Sequence, residues 1–190
     1  MRSENMVNEQ SVEFHVRNAR IADLAEIWTL VGTCAPYLTQ HISYLYMRDL
    51  RYYGDTCAVA LLNNKIIGWC SMFPAPGGVF FLHQLGVSPA ARKRGVAPAL
   101  VTFLMKRLGQ HHGWTFRVEF TTDRKNWRAQ KLFRDIAEAL GMRLEKSPET
   151  IHLPDQGNDE ELYSLTPFRQ SVSIPVPEAL AQPFREVNHA

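Results

Sequence analysis

Val79 to Val87 reads VFFLHQLGV, an almost uninterrupted apolar run of strand length. A half-exposed strand alternates apolar and polar residues, whereas a run apolar at nearly every position has both faces covered. The chain must therefore build a sheet with a layer on each side. The flanking segments read accordingly. Phe14-His15-Val16-Arg17 alternates as a strand does, and Leu24, Ile27, Trp28 and Val31 recur at helical spacing, with Asp23 and Glu26 near the helix start. Tyr44 to Tyr52 reads as a second helix whose pattern is blurred by aromatics. Cys57–Leu62 and Ile66–Phe73 are β-rich. Asn63-Asn64 between them tolerates the positive φ of a tight hairpin, and Pro74 to Gly78 reads as a loop.

Beyond Val87, Ala97, Leu100, Val101, Leu104 and Leu108 make one apolar stripe, with Pro98 tolerated in a first helical turn. Phe116–Thr122 reads as a strand. A helix beginning at Asn126 places Ala129, Leu132, Phe133, Ile136, Ala137 and Leu140 on one face and stops at Gly141. Met142–Glu145 and Leu162–Leu165 are expected to be two closing strands. The sum is an α/β fold, a mixed sheet flanked by helices. Residues 1–12 are read as a flexible leader, 13–168 as the one domain, and the proline-bearing stretch 169–190 as a loosely held tail.

Composition narrows the function classes. The net charge is +2 and 45% of residues are apolar, so the molecule is not built to blanket nucleic acid or acidic lipid, and neither partner is expected. No window approaches the roughly 20 apolar residues of a membrane-spanning helix. Cys34, Cys57 and Cys70 are scattered without CxxC spacing, which argues against a disulfide framework and a zinc site. A reducing cytoplasmic setting and no metal are the expectations.

Any anion site must then come from local arrangement. Strand Phe80–Val87 leads through Ser88–Arg94 into a helix from Gly95. A helix start offers unpaired N–H groups and partial positive charge. Gly95 permits close approach of a ligand, and Arg92, Lys93 and Arg94 add local charge. By itself this is equally a solvated basic loop before an ordinary helix. Gly-Lys-Ser/Thr and G-x-G-x-x-G are both missing, so neither a P-loop nor a dinucleotide fingerprint is present.

Arg92-x-x-Gly95-x-Ala97, placed after Leu85-Gly86-Val87 and opening a helix, resembles the Q/R-x-x-G-x-G/A motif of the GNAT acetyltransferase superfamily. The order of elements over residues 13–168 is similar to that family too. The resemblance implies a mixed, mostly antiparallel central sheet and acetyl-CoA as the acetyl donor. It implies that the amides of Arg92, Lys93, Arg94, Gly95, Val96 and Ala97 cradle the pyrophosphate. Leu85, Gly86 and Val87 would pair with the pantetheine arm, and Asn126, Lys131 and Phe133 would border the cofactor on the later helix. Phe133 stands where many members carry a Tyr thought to protonate the thiol, and it also lies on the apolar stripe of its helix.

A narrower resemblance rests on Gly54-Asp55-Thr56-Cys57, Phe81 to Val87, Lys125 to Arg134, Glu145-x-Ser147-Pro148 and Asp159-Glu160-Glu161. These stretches look like the L-2,4-diaminobutyric acid acetyltransferase family of ectoine biosynthesis, and imply acetylation of the side-chain amine of that small molecule by a homodimer. The chain departs from that family at Thr39-Gln40-His41, where an acidic Asp-x-Asn stretch is usual, and at His83, where a Trp is usual. Other small amines, and an acetyl-CoA-binding module without catalysis, remain alternatives.

The chemistry sets the remaining candidates. A primary amine of pKa about 10 is an ammonium at neutral pH and attacks a thioester only after losing a proton. Glu119 and His83 are the candidate proton acceptors. Glu119 reads equally as a solvent-facing strand residue, and His83 as a core histidine with an ordinary pKa suited to a base. A strand amide near Leu85–Val87 suits the developing oxyanion. His41, Tyr44, His83, Thr121, Asp123 and Glu160 are the candidate substrate contacts. Asp123 reads equally as a turn residue, and Asn158 to Glu161 equally as a solvated loop.

Overall fold

The computed structural model describes residues 14–154 and 158–168, so the leader and tail expected at 1–12 and 169–190 fall outside the described residues. The chain runs β1 (His15–Asn18), α1 (Leu24–Gly32), α2 (Ser43–Tyr52), β2 (Cys57–Leu62), β3 (Lys65–Ala75), β4 (Val79–Val87), α3 (Val96–His112), β5 (Arg117–Asp123), α4 (Trp127–Ala139), β6 (Met142–Leu153) and β7 (Asn158–Pro167). The strands form one seven-stranded sheet in the order β1-β2-β3-β4-β5-β7-β6. Every neighbouring pair is antiparallel except β4 and β5, which are joined through α3 and run parallel. The expected mixed, mostly antiparallel sheet is therefore what forms.

Strand alternation divides the side chains between two layers. Ala58, Ala60, Cys70, Met72, Phe80 and Leu82 face one way and pack with Leu100, Leu104, Met105, Phe133 and Ile136 of α3 and α4. Cys57, Val59, Leu61 and Trp69 face the other way and pack with Ile27, Leu30 and Val31 of α1 and Tyr46 and Leu50 of α2. This is why β2 to β4 read as apolar runs: they are covered on both faces. Leu100 and Met105 are completely buried. Each such side chain contributes about 1.5–3 kcal/mol over leaving it in water, enough to pin α3 to the sheet.

Local signals place the turns. Asn63 and Asn64 have φ of 51° and 60°, the positive pair that a two-residue hairpin needs. Gly113 closes α3 in the left-handed conformation, with its N–H bonded to the Gly109 carbonyl at 2.9 Å. Asn126 caps α4, its side chain accepting from Ala129 N at 3.1 Å.

The closing strands are much longer than the sequence pattern suggests. β6 and β7 pair from Met142↔Pro167 to Leu153↔Asn158, with a register shift between Lys146 and Thr150. Residues 146–150 are Lys-Ser-Pro-Glu-Thr and show no apolar periodicity, because this end of the hairpin is mostly exposed. Pro148 sits inside that irregular stretch, where a missing N–H does least harm. Asp159, Glu160 and Glu161 consequently lie in a strand rather than in a loop.

Candidate active site

β4 carries the irregularity on which the site depends. Ser71 pairs with Gln84 and Met72 with Leu82, which leaves His83 as an extra, bulged residue. The bulge changes which side chains face which layer. Before it, Phe80 and Leu82 face α3 and α4; after it, Leu85 and Val87 do. Gly86 instead lies against Leu38 and Cys34, where an added Cβ would sit 3.0 Å from the Leu38 side chain.

β4 also parts from its parallel neighbour. The two strands pair from Val79↔Arg117 to Leu82↔Phe120 and no further. Thr121 to Asp123 stay paired to β7, while Leu85 to Val87 stay paired to β3. A wedge opens between them. Ser88 N–H donates to the Ile67 carbonyl on the β3 side at 2.9 Å. By alternation Gly86 N–H points the same way, and the N–H groups of Leu85 and Val87 point into the wedge.

At the mouth of the wedge stands the basic loop. Lys93 and Gly95 both have positive φ, 63° and 78°, which folds the loop back onto the start of α3. No side chain among the described residues caps α3. Its first intrahelical bond is Ala99 N to Gly95 O at 3.1 Å, and Pro98 has no N–H, so the amides of Val96 and Ala97 are left for an outside acceptor. Val87, Ala91, Arg92, Lys93, Gly95, Val96, Ala97, Pro98 and Leu132 line a cleft of about 330 Å³ here. Uncapped amides, a partial positive helix end and three cations fit a pyrophosphate, and the open N–H edge fits an extended amide-bearing arm.

The opposite face of the sheet holds the other candidates. Register places Phe73, Phe81, Glu119 and Ser164 side by side, and likewise Asp123 and Glu160. His83 stacks on His41 with centroids 5.1 Å apart and planes 8° apart, and lies 4.8 Å from Phe73. Burial, helped by the nearby charges of His41 and Arg48, pulls its pKa down to about 4. The imidazole is therefore neutral at pH 7, and its Nδ1 is buried without a hydrogen-bond partner among the described residues. The segment carrying His41 is fastened to β4, since Gln84 Nε2 donates to the Thr39 carbonyl at 2.9 Å. Tyr44 is 64% exposed at the start of α2.

Several candidates have other partners. Glu119 is ion-paired to Arg117 at 2.8 Å. Asp123 accepts from Lys125 N at 2.6 Å, so it is a turn residue leading into α4. Asn126 Oδ1 is committed to its cap, and Lys131 is exposed and paired with Asp135 at 2.7 Å. Phe133 is stacked on Phe120 at 3.7 Å within the core. The α4 side chain lining the cleft at the start of α3 is its neighbour Leu132. Thr121 is half-buried on the face shared with Glu119.

Some relevant residues escape a sequence reading. Arg92 lies over the Tyr37 ring at 5.7 Å, joining the basic loop to the segment between α1 and α2. Glu161 is almost fully buried and accepts from Lys146, Arg124 and Tyr163, each at 2.8 Å. The Lys146 bond, then that of Tyr163, holds its carboxyl down at about 2. Such a residue is invisible in an acidic run, where alternation alone decides which carboxylate turns inward.

Comparison with known proteins agrees with this geometry. The model of the acetyltransferase (GNAT) family matches residues 23–137. The L-2,4-diaminobutyric acid acetyltransferase of Nocardia farcinica is 29% identical over 161 residues, 83% of this chain and 82% of that protein. The one from Marinococcus halophilus is 28% identical over 154 residues, 78% of this chain and 87% of that protein. Among solved structures, the diaminobutyrate acetyltransferase of Paenibacillus lautus, in complex with its substrate L-2,4-diaminobutyric acid and coenzyme A, is similar with a TM-score of 0.70. It is 26% identical, and the match covers 85% of this chain and 99% of that one.

Proposed function

This chain belongs to the GNAT acetyltransferase family, and on that premise we propose that it moves the acetyl group of acetyl-CoA onto the side-chain amine of L-2,4-diaminobutyrate, as in ectoine biosynthesis. The observation that carries the reading is the wedge between β4 and β5, with the N–H groups of Leu85 and Val87 turned into it and the uncapped start of α3 at its mouth. Similarity to relatives that carry the diaminobutyrate acetyltransferase name supports the choice of acceptor.

In this reading the amides of Val96 and Ala97, with Arg92, Lys93 and Arg94, hold the pyrophosphate of the donor. The open edge of β4 aligns the pantetheine arm. Bound there, acetyl-CoA supplies an activated acyl group. The amine attacks the thioester carbonyl directly; a C–N bond forms, the C–S bond breaks, and the thiol leaves. An N–H of the Leu85–Val87 edge stabilises the negative charge on the carbonyl oxygen, a role in which a fixed donor is worth about 10²–10³ in rate. Glu119 or the neutral His83 takes the proton that the ammonium must lose. Glu160, Asp123 and Thr121 on the same face suit the second ammonium, with His41 and Tyr44 above it. The reading extends to a homodimer in the cytoplasm, where the three free, buried cysteines would stay reduced.

Thiol release from acetyl-CoA, followed with L-2,4-diaminobutyrate, ornithine and lysine as acceptors, tests it. A kcat/KM at least tenfold higher for diaminobutyrate is expected. Equal rates with all three, or release only with an unrelated amine, would overturn the choice of acceptor.

A further inference from the structure

An amino-acid acceptor has a carboxylate as well as its amines, and the candidate contacts on the acceptor face include Glu119, Asp123 and Glu160 but no cation. Arg48, on α2, reaches this face. Its guanidinium carbon lies 5.2 Å from the centre of the Phe73 ring. Phe73 in turn lies 4.8 Å from His83, and His83 stacks on His41. A continuous row of ring contacts thus runs from Arg48 through the β4 bulge to the segment above it. One of its two inner members, His83, is the bulged residue where β4 leaves β5.

Arg48 is fixed from behind. Its Nε and Nη2 both donate to a single oxygen of Asp49, at 2.9 and 2.7 Å. Asp49 is itself buried, 2% exposed. A guanidinium has five N–H donors in a rigid fork, and these two bonds leave Nη1 with both of its own. The Arg48 side chain is 39% exposed, so a ligand can reach it. Three buried polar atoms on this face, Trp69 Nε1, Ser71 Oγ and His83 Nδ1, have no partner among the described residues. Ser71 and Phe73 share the face by alternation, and buried atoms of that kind are usually completed by a ligand or by water.

We infer that Arg48 receives the carboxylate of the acceptor, with Phe73 and Asp49 holding its guanidinium in place. The acceptor is then an amino acid carrying a side-chain amine, and bare diamines and polyamines are disfavoured. The inference rests on the acetyltransferase reading above and gives it a specificity residue.

The alternative is that Arg48 only clamps α2 to β3 through Phe73. Steady-state kinetics of the full chain with acetyl-CoA separate the two, using L-2,4-diaminobutyrate and its decarboxylated counterpart, 1,3-diaminopropane. The wild-type protein should prefer diaminobutyrate. In Arg48→Met, which keeps the stem and loses the charge, the preference ratio in kcat/KM should fall at least tenfold, mainly through KM for diaminobutyrate. Arg48→Lys should recover part of it. If Arg48→Met slows both acceptors equally, Arg48 is a clamp and the inference falls, while the proposed function stands. If the wild-type protein acetylates neither but does acetylate another amine, the proposed function fails first and takes the inference with it. Should Arg48→Met not fold, the ratio measured in Arg48→Lys and Arg48→Gln decides in the same way.

Discussion

Glu161 and His83 have pKa values displaced in the same direction for different reasons, and both make the fold sensitive to acid. Hydrogen bonds from Lys146, Tyr163 and Arg124 hold the Glu161 carboxyl at about 2 against an ordinary 4.5. Burial holds His83 at about 4 against an ordinary 6.5. In each case the unfolded chain takes up the proton at a higher pH than the folded one, so stability is lost as pH falls. The His83 contribution disappears between about 6.5 and 4, and that of Glu161 between about 4.5 and 2. Urea midpoints measured from pH 8 to pH 3 should fall through both windows. Glu161→Gln should flatten the lower one, and an unchanged profile in that variant would refute its role. His83 likewise has no proton to release near pH 7, so the kcat/KM profile should lack a limb near pH 6.5 arising from this residue. At Gly95 the cost is in the backbone alone, since φ is 78° and an added Cβ meets nothing within 4 Å. Gly95→Ala should cost about 1–2 kcal/mol for the left-handed conformation. Calorimetry should show that loss together with a raised KM for acetyl-CoA, because the strain falls on the amides that begin α3.

Among the elements, the contact between α3 and β3 ties stability to cofactor binding. A Cβ on Gly68 would lie 2.7 Å from Val96 Cγ1 and 2.9 Å from Leu100 Cδ1. Gly68→Ala should therefore push the start of α3 off the sheet, costing about 1–3 kcal/mol. KM for acetyl-CoA should rise as well, since Val96 is the first residue of that helix; a loss of stability with KM untouched would refute the link. The elements were readable in the sequence where one physical cause acted alone. Asn63-Asn64 marked its hairpin because few residues accept positive φ, and Val79–Val87 marked the central strand because both faces are covered. The full lengths of β6 and β7 were not readable, since a mostly exposed hairpin selects for no apolar period. The same reason separates the two halves of the candidate site. The cofactor half is local in sequence, from Leu85 to Ala97, and its motif is visible there. The proposed acceptor half draws on His41, Arg48, Phe73 and His83, which come from four separate places. Arg48, on a helix with a blurred pattern, carried no local mark.

For the whole molecule, the sheet consists of two parts, β1 to β4 and β5-β7-β6, whose strands meet over only four paired positions, Val79↔Arg117 to Leu82↔Phe120. The cleft draws on both parts, since Leu132 of α4 faces Val87 and the start of α3 across it. Coenzyme A should therefore stabilise the fold as a whole, by about 2.7 kcal/mol at one hundred times its Kd. Differential scanning fluorimetry should report a rise in Tm with coenzyme A, and hydrogen exchange should show protection concentrated at Leu85–Val87 and Val96–Ala97. No shift in Tm at saturating coenzyme A would refute the assignment of the cleft. The bulge at His83 gives β4 something like a reading frame. Were the bulge drawn flat, with His83 kept as an ordinary member of the pleat, the composition would be untouched, yet Gln84 and Gly86 would be turned toward α3, with Leu85 and Val87 against Cys34 and Leu38. One residue counted where the strand now skips it would thus garble the strand's last four letters while leaving each of them correctly spelled.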